Sequence, residues 1–76
     1  MSKADEVFDV LGYKKRELDN RTQYYKFTKD NFGTMIVSEI VIWNDEDKQY
    51  IEITSGVGDK EMEAIKMKMK ELWGIK

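Results

Sequence analysis

The sequence has no cysteine, no histidine and no proline among its 76 residues. Without cysteine and histidine there is no disulfide, no thiolate nucleophile, no imidazole general base and no zinc site built on these ligands. A hydrolase would then need a lysine or a carboxylate with a strongly shifted pKa as its base, and the sequence shows no such arrangement. We therefore predict that the protein is not an enzyme and has no catalytic residue, no metal ligand and no cofactor.

Long apolar runs and a strong charge of one sign are also missing. No run of about 18 apolar residues could span a membrane, and the first residues lack the apolar segment of a secretory signal. The 13 basic and 15 acidic residues leave a net charge of −2, too small to indicate a highly charged partner. We expect a cytoplasmic protein with no membrane contact and one domain, residues 1–76. A domain of this size keeps only about 3–5 kcal/mol of net stability, which dimerisation would increase.

An amphipathic helix is predicted at the start of the chain. Ser2 is its expected N-cap, with Asp5 reaching back to it in a capping box. Gly12 supplies the left-handed position after the helix, and Tyr13 is expected to fold back onto Phe8 as in a Schellman motif. The apolar stripe at helical spacing consists of Ala4, Val7, Phe8 and Leu11.

The middle of the chain predicts an antiparallel meander, because β-branched and aromatic residues alternate there with turn residues. Turns are expected at 30–33 and 44–47, where Asn, Asp and Gly tolerate turn dihedrals. A fourth strand at 13–18 is an alternative and would form a charged edge. The three clear strands are Thr22–Lys29, Thr34–Trp43 and Lys48–Thr54.

A second amphipathic helix is predicted over Lys60–Trp73, with Asp59 as its N-cap, a turn at Gly56 and Gly58 before it, and Gly74 at its end. Its lysines, Lys68 included, lie off the apolar stripe and are expected to form a solvated face. The predicted fold is α+β: a helix, three or four antiparallel strands and a helix, with both helices on one face of the sheet. The predicted core comprises Phe8, Leu11, Ile40, Ile42, Ile51, Ile53, Ile65, Met69 and Leu72.

The strand Thr34–Trp43 is apolar on both faces, whereas a strand with one solvated face should alternate apolar and polar residues. A bulge near Ser38 and Glu39 could switch the register, or the helices could straddle the sheet. Alternatively, a partner or a second copy covers an exposed apolar patch, with Trp43 as its anchor. The predicted interface residues are Met35, Val37, Val41 and Trp43.

Basic and aromatic residues are interleaved in the segment 13–29, as on surfaces that bind single-stranded nucleic acid. The segment 32–55, with five acidic residues and one basic residue, would lie beside them in the sheet. We favour the structural interpretation, in which cross-strand ion pairs form, for example Lys26 opposite Glu39. The residues that would contact nucleic acid are Lys14, Lys15, Arg16, Arg21, Tyr24 and Lys26.

The segments Ala4–Tyr13 (ADEVFDVLGY), Glu61–Ile65 (EMEAI) and Glu71–Trp73 (ELW) carry a family resemblance. They resemble small uncharacterised proteins of phages and prophages of low-GC Gram-positive bacteria. In that group the opening is typically Ala-Asp-Glu-Met-Phe-x-x-Leu-Gly-Tyr, so Val7 departs conservatively, and the usual Thr ahead of the last helix is replaced by Gly58 and Asp59. The resemblance implies no activity and no site residue.

Taken together, these features predict a non-enzymatic, phage-type module that binds protein or associates with itself. The alternative is a module that binds single-stranded nucleic acid through the basic residues of 13–29.

Overall fold

The computed structural model describes residues 2–45, 47–54 and 57–74. Its four strands form one antiparallel sheet in the order β1-β2-β3-β4, with a helix before it and a helix after it in the chain. The α+β meander predicted from the sequence is thus confirmed. The elements are α1 (Lys3–Val10), β1 (Lys14–Glu17), β2 (Arg21–Lys29), β3 (Met35–Trp43), β4 (Ile51–Ile53) and α2 (Asp59–Trp73).

Helix α1 begins and ends where its sequence predicts. The Ser2 hydroxyl oxygen accepts a hydrogen bond from the backbone N–H of Asp5 (3.1 Å). At the other end Gly12 has a φ of +92°, a conformation that residues with a side chain rarely adopt. The Tyr13 N–H then donates to the carbonyl of Phe8 (2.9 Å), and the two rings meet edge to face at 5.6 Å. This Schellman ending turns the chain into β1.

Helix α2 begins one residue earlier than predicted, and its N-cap is Gly58 rather than Asp59. The Glu61 carboxylate accepts a hydrogen bond from the Gly58 N–H (2.8 Å), so a side chain three residues into the helix satisfies the cap. Gly74 ends the helix with a φ of +67°, as predicted. The predicted turn residue Gly56 lies outside the described residues. Neither helix in the described ranges has the length and apolar character that crossing a membrane requires.

The turn between β2 and β3 is held by Asp30. Its carboxylate accepts hydrogen bonds from the N–H groups of Phe32 (2.9 Å) and Thr34 (2.8 Å). Gly33 takes the left-handed position that such a turn requires, with a φ of +79°. The turn residues predicted at 30–33 therefore close the central hairpin.

The pairing of β2 with β3 is unbroken, from Arg21 opposite Trp43 to Lys29 opposite Met35. The interpretation that placed a bulge in β3 is therefore wrong. Because side chains alternate along a strand, even-numbered residues of both strands share one side of the sheet and odd-numbered residues share the other. Core residues of both helices pack against the even-numbered side, so the interpretation with straddling helices is also wrong.

The two edge strands are short. Strand β1 confirms the fourth strand that the sequence allowed at 13–18, and all of its residues are exposed, as expected of a charged edge. Strand β4 covers only part of the predicted Lys48–Thr54. Lys48 instead forms a single bridge with Asp45, each N–H bonding the other's carbonyl (2.9 and 3.1 Å), so its backbone groups are used within the local turn. Glu46, within the turn predicted at 44–47, lies outside the described residues.

The core lies between the two helices and the even-numbered side of the sheet. The sequence did not predict the aromatic stack at its centre, where the Tyr24 ring lies 3.9 Å from that of Phe8. Ile53, predicted as core, is exposed because it lies near the end of the short edge strand β4. Of the other predicted residues, four are buried and four are partly buried: Phe8, Ile40, Ile42 and Ile65, then Leu11, Ile51, Met69 and Leu72. Ala4, Tyr13 and Ala64 are also buried, although the predicted core did not include them.

The variant Ile65→Ala should lower the free energy of unfolding by about 2–5 kcal/mol, because it opens a cavity in a core this small. Urea unfolding followed by circular dichroism measures the loss. Met62→Ala is the control on the same helix, since Met62 is exposed and its truncation should cost much less. Equal losses for the two variants would show that Ile65 is not a core residue.

Candidate functional site

On the helix side of the sheet, the carboxylate of Asp5 accepts hydrogen bonds from residues of three other elements. The Tyr24 hydroxyl donates to Oδ1 (2.5 Å), the Lys15 ammonium to Oδ2 (2.8 Å) and the Lys68 ammonium to Oδ1 (3.4 Å). Glu71 completes the group, with Oε1 3.6 Å from Nζ of Lys68. We call these five residues the Asp5 cluster.

Two sequence predictions are corrected at this cluster. Ser2 caps α1, but the Asp5 carboxylate does not turn back to it as a capping box requires and is bonded to the sheet and α2 instead. Lys68, predicted on the solvated face of α2, is only 4% exposed. An amphipathic pattern treats lysine as a surface residue, whereas a buried ammonium is tolerated where carboxylates compensate its charge.

The environment of Asp5 keeps its side chain ionised. Burial by itself raises the pKa of Asp5, but hydrogen bonds from Lys15 and Tyr24 and the positive charge of Lys68 outweigh it and hold the pKa well below its ordinary value of 3.8. Burial and the same Asp5 bond raise the pKa of the Tyr24 hydroxyl. A carboxylate with a low pKa and three donors is a poor general base, and its hydrogen bonds join α1 to β1, β2 and α2.

An open cleft of about 470 Å³ lies beside the cluster, between α1 and the sheet. Its polar side chains include Asp5, Lys15 and Tyr24, which are already bonded to one another. Within the described ranges, no three acidic side chains come close enough together to hold a metal ion. The cleft is lined by Asp5, Phe8, Asp9, Tyr13, Lys14, Lys15 and Tyr24.

The opposite side of the sheet, which we call the outer face, is covered by no helix or strand of the described residues. The strand register places all four predicted interface residues on this face. Its strand residues are Lys14, Arg16, Arg21, Gln23, Tyr25, Phe27, Lys29, Met35, Val37, Glu39, Val41, Trp43 and Glu52.

At one end of the outer face, the chain's own side chains cover the predicted interface. Val41 is only 7% exposed. The Trp43 indole N–H donates to Glu52 (2.8 Å), its ring stacks on Tyr50 at 5.8 Å, and the Arg21 guanidinium lies 4.8 Å from the ring centroid. Val41 therefore offers little surface to a partner, and part of the Trp43 side chain already contacts residues of its own chain.

At the other end, the central hairpin extends beyond both edge strands. Strand β1 pairs only as far as Tyr25 and β4 only as far as Ile40. The hairpin residues 26–29 and 35–38 therefore form a two-stranded projection, which we call the ribbon. It contributes to an elongated molecule of 42 × 23 × 19 Å.

The ribbon carries most of the exposed apolar surface of the outer face. Phe27 is 57% exposed, Met35 54% and Val37 43%. Phe27 is directly opposite Val37 in the sheet, and Tyr25 meets the Phe27 ring edge to face at 5.9 Å. A shallow groove of about 200 Å³ runs along this surface, with Arg16 and Glu39 among its lining residues.

The residues predicted to contact nucleic acid do not form one surface. Arg16 and Arg21 lie on the outer face, and Lys14 pairs with Tyr25 but also lines the cleft on the helix side. Tyr24 is buried against Phe8 and offers no ring surface to a base. The remaining two lie on the helix side: Lys15 is bonded to the Asp5 cluster, and Lys26 lies over the ring of Tyr13.

The predicted ion pair of Lys26 with Glu39 is wrong. Lys26 is opposite Ser38 in the register, while Glu39 is opposite Tyr25 and lies on the other side of the sheet. Glu39 instead accepts a hydrogen bond from the side-chain amide of Gln23 (2.5 Å).

Sequence reasoning missed Phe27 as the most exposed aromatic residue of the outer face. The alternation of side chains along β2 places Phe27 and Tyr24 on opposite faces of the sheet, and this much can be read from the sequence. The sequence does not show which face of β2 continues which face of β3, because the length and geometry of the turn determine the register.

Comparison of the chain with protein-family models, with curated proteins and with solved structures found no match.

The variant Asp5→Asn should lower the free energy of unfolding by about 1.5–3 kcal/mol at neutral pH, because it removes one of the two carboxylates beside the buried Lys68 ammonium and weakens the hydrogen bonds from Lys15 and Tyr24. The pKa of Asp5 is lower in the folded than in the unfolded chain, so its contribution to stability is complete above the ordinary value of 3.8. It is lost as the pH falls from there through the lowered folded value. Urea unfolding at a series of pH values measures both effects.

Below about pH 4, the stability difference between the wild type and Asp5→Asn should shrink as the wild-type carboxylate takes up its proton. Asp9→Asn makes the same change at an exposed carboxylate of α1 and should behave much like the wild type. A difference between the wild type and Asp5→Asn that is independent of pH would show that the Asp5 charge does not stabilise the fold.

Proposed function

We propose that this chain is a non-enzymatic, cytoplasmic protein-binding module that associates with a second copy of itself through the outer face. The observation that carries the proposal is the exposure of Phe27, Met35 and Val37 together on one uncovered sheet face. The likeness of the chain ends to phage and prophage proteins adds a phage-type role to this proposal. That role rests on the sequence alone.

The geometry of the ribbon supports a partner there. An isolated two-stranded hairpin is marginally stable in water, and strands normally need further strands or a helix against an apolar face. In the described part of the chain, neither a further strand nor a helix covers the outer face of the ribbon, yet the ribbon carries Phe27, Met35, Ile36 and Val37. A partner on the outer face would cover three of these four side chains, since Ile36 lies on the helix side.

The charges of the outer face favour a second copy as that partner. The cationic strand residues lie on β1 and β2, and Glu39 and Glu52 lie on β3 and β4. The outer face thus has a basic half and an acidic half. The outer face of a second copy can therefore place its acidic half over the basic half of the first copy, and its basic half over the acidic half.

Wild-type protein should sediment as a larger species as its concentration rises from micromolar to millimolar, and Val37→Glu should keep it monomeric. The variant places a carboxylate in the centre of the apolar surface, where association would bury it without a partner. Sedimentation equilibrium measures the association constant, and circular dichroism checks the fold.

Val10→Glu is the matched control, since Val10 is 86% exposed at the end of α1, away from the outer face. Phe27→Ala should weaken association without adding charge. A wild-type chain that remains monomeric at millimolar concentration would refute the proposal. Equal effects of Val37→Glu and Val10→Glu would place the interface elsewhere.

Binding of single-stranded nucleic acid is the second candidate function. It is favoured by Arg16 and Arg21 on the same face as the exposed ring of Phe27, with Tyr25 beside it. The carboxylates of Glu39 and Glu52 on that face oppose a polyanion. Tyr25 and Phe27 would take the stacking role that the sequence assigned to Tyr24.

Titration with a labelled single-stranded oligonucleotide at physiological salt should show weak binding or none, because few phosphates can be neutralised beside the two carboxylates. Arg21→Glu should then change little. Submicromolar binding that weakens with added salt and with Arg21→Glu would favour the nucleic-acid function over self-association.

A further inference from the structure

We infer that the second copy is related to the first by a twofold axis that runs parallel to the strands, between β2 and β3. This inference rests on the proposed function and adds the orientation of the partner and a specific ion pair to it. Two sheets that pack face to face lie about 10 Å apart with their strands within about 30° of each other, so side chains from both faces can meet.

The distribution of charge selects this axis. All the cationic strand residues of the outer face, Lys14, Arg16, Arg21 and Lys29, belong to β1 and β2, and its two acidic strand residues belong to β3 and β4. An axis parallel to the strands places the basic half of each copy over the acidic half of the other. An axis parallel to the sheets but perpendicular to the strands would place the basic half of each copy over the basic half of the other. The repulsion between like charges would then weaken association. Lys48, in the connection before β4, adds one cation near Trp43.

The strand register then determines which residues of the two copies meet. Arg16, Gln23, Val41 and Glu52 form one row across the four strands. Rotation about the proposed axis brings β1 over β4 of the second copy, so Arg16 of each copy lies over Glu52 of the other. Phe27 and Val37 form another row, and the same rotation places each Phe27 over Val37 of the second copy.

A contact through the ribbon alone is too small. Two strands over about four residues cover roughly 10 Å by 13 Å. Stable interfaces bury on the order of 800 Å² on each partner, so the remaining strands must contribute. The proposed axis brings all four strands of each outer face into contact, whereas an axis perpendicular to the strands through the ribbon would leave the rest of both faces open.

Charge reversal tests the orientation. Arg16→Glu places a carboxylate over Glu52 of the second copy, and Glu52→Arg places a guanidinium over Arg16, so each variant alone should associate roughly tenfold or more weakly than the wild type. An equimolar mixture of the two variants should regain association close to that of the wild type. In the mixed pair the two introduced side chains, a carboxylate and a guanidinium, face each other, and the unchanged Arg16 faces the unchanged Glu52, so both contacts are favourable. The double variant should also associate with itself.

Restored association in the mixture cannot result from an ion pair between residues 16 and 52 of the same chain. Arg16 and Glu52 are three strand spacings apart in the same sheet, roughly 14 Å, which is too far for an ion pair. Because Glu52 also accepts the Trp43 indole N–H, Glu52→Gln is a milder variant that keeps an acceptor oxygen and should weaken association less than Glu52→Arg does. Lys3→Glu on α1 is the control for charge reversal away from the face. Tryptophan fluorescence and circular dichroism check that each variant is folded.

The outcomes separate the two proposals. If Val37→Glu abolishes association but mixing the charge variants restores nothing, the outer face is the interface and the proposed axis is wrong. If Arg16→Glu alone associates like the wild type, the ion pair with Glu52 does not exist. If the wild type does not associate at all, the proposed function fails first and this orientation fails with it.

Discussion

The carboxylate of Asp5 joins four of the six helices and strands that the described residues form. It belongs to α1 and accepts hydrogen bonds from Lys15 in β1, Tyr24 in β2 and Lys68 in α2. The bond from Tyr24 holds its ring where it stacks on Phe8, and this stack forms the centre of the core. The buried apolar residues of both helices hold them on the sheet, and the ionised Asp5 adds hydrogen bonds that join α1 to the sheet and to α2.

In the described residues, both helices pack on the same side of the sheet, and this leaves the outer face without a helix. The helices cover the even-numbered residues of β2 and β3, and among the described residues only side chains cover the outer face. At one end those side chains close over Val41, through Trp43 and its contacts with Glu52, Tyr50 and Arg21. The described residues form no such cover at the ribbon, because neither edge strand extends that far. The apolar centre of the proposed interface therefore lies further toward the β2–β3 turn than Trp43.

The predictions that succeeded rest on local rules. Ser2 and Gly12 begin and end α1, and Asp30 and Gly33 form the turn, because the relevant hydrogen bonds and dihedrals involve residues within a few positions of one another. The predictions that failed involve distant residues. Lys68 was assigned to solvent because one of its two carboxylate partners, Asp5, lies 63 positions away in the chain, and no periodicity within α2 reveals such a partner.

The sequence by itself determined the order of helices and strands, the helix ends, the hairpin turn and the unusual apolar character of both faces of β3. Each of these follows from side-chain pattern and backbone preference over short stretches. Only the tertiary structure decided that the helices share one side, that Asp5 and Lys68 are paired, and that Phe27 rather than Val41 is exposed on the outer face. These features depend on strand register, on where the edge strands stop and on charges brought together from distant positions, and all three are properties of the assembled sheet and helices.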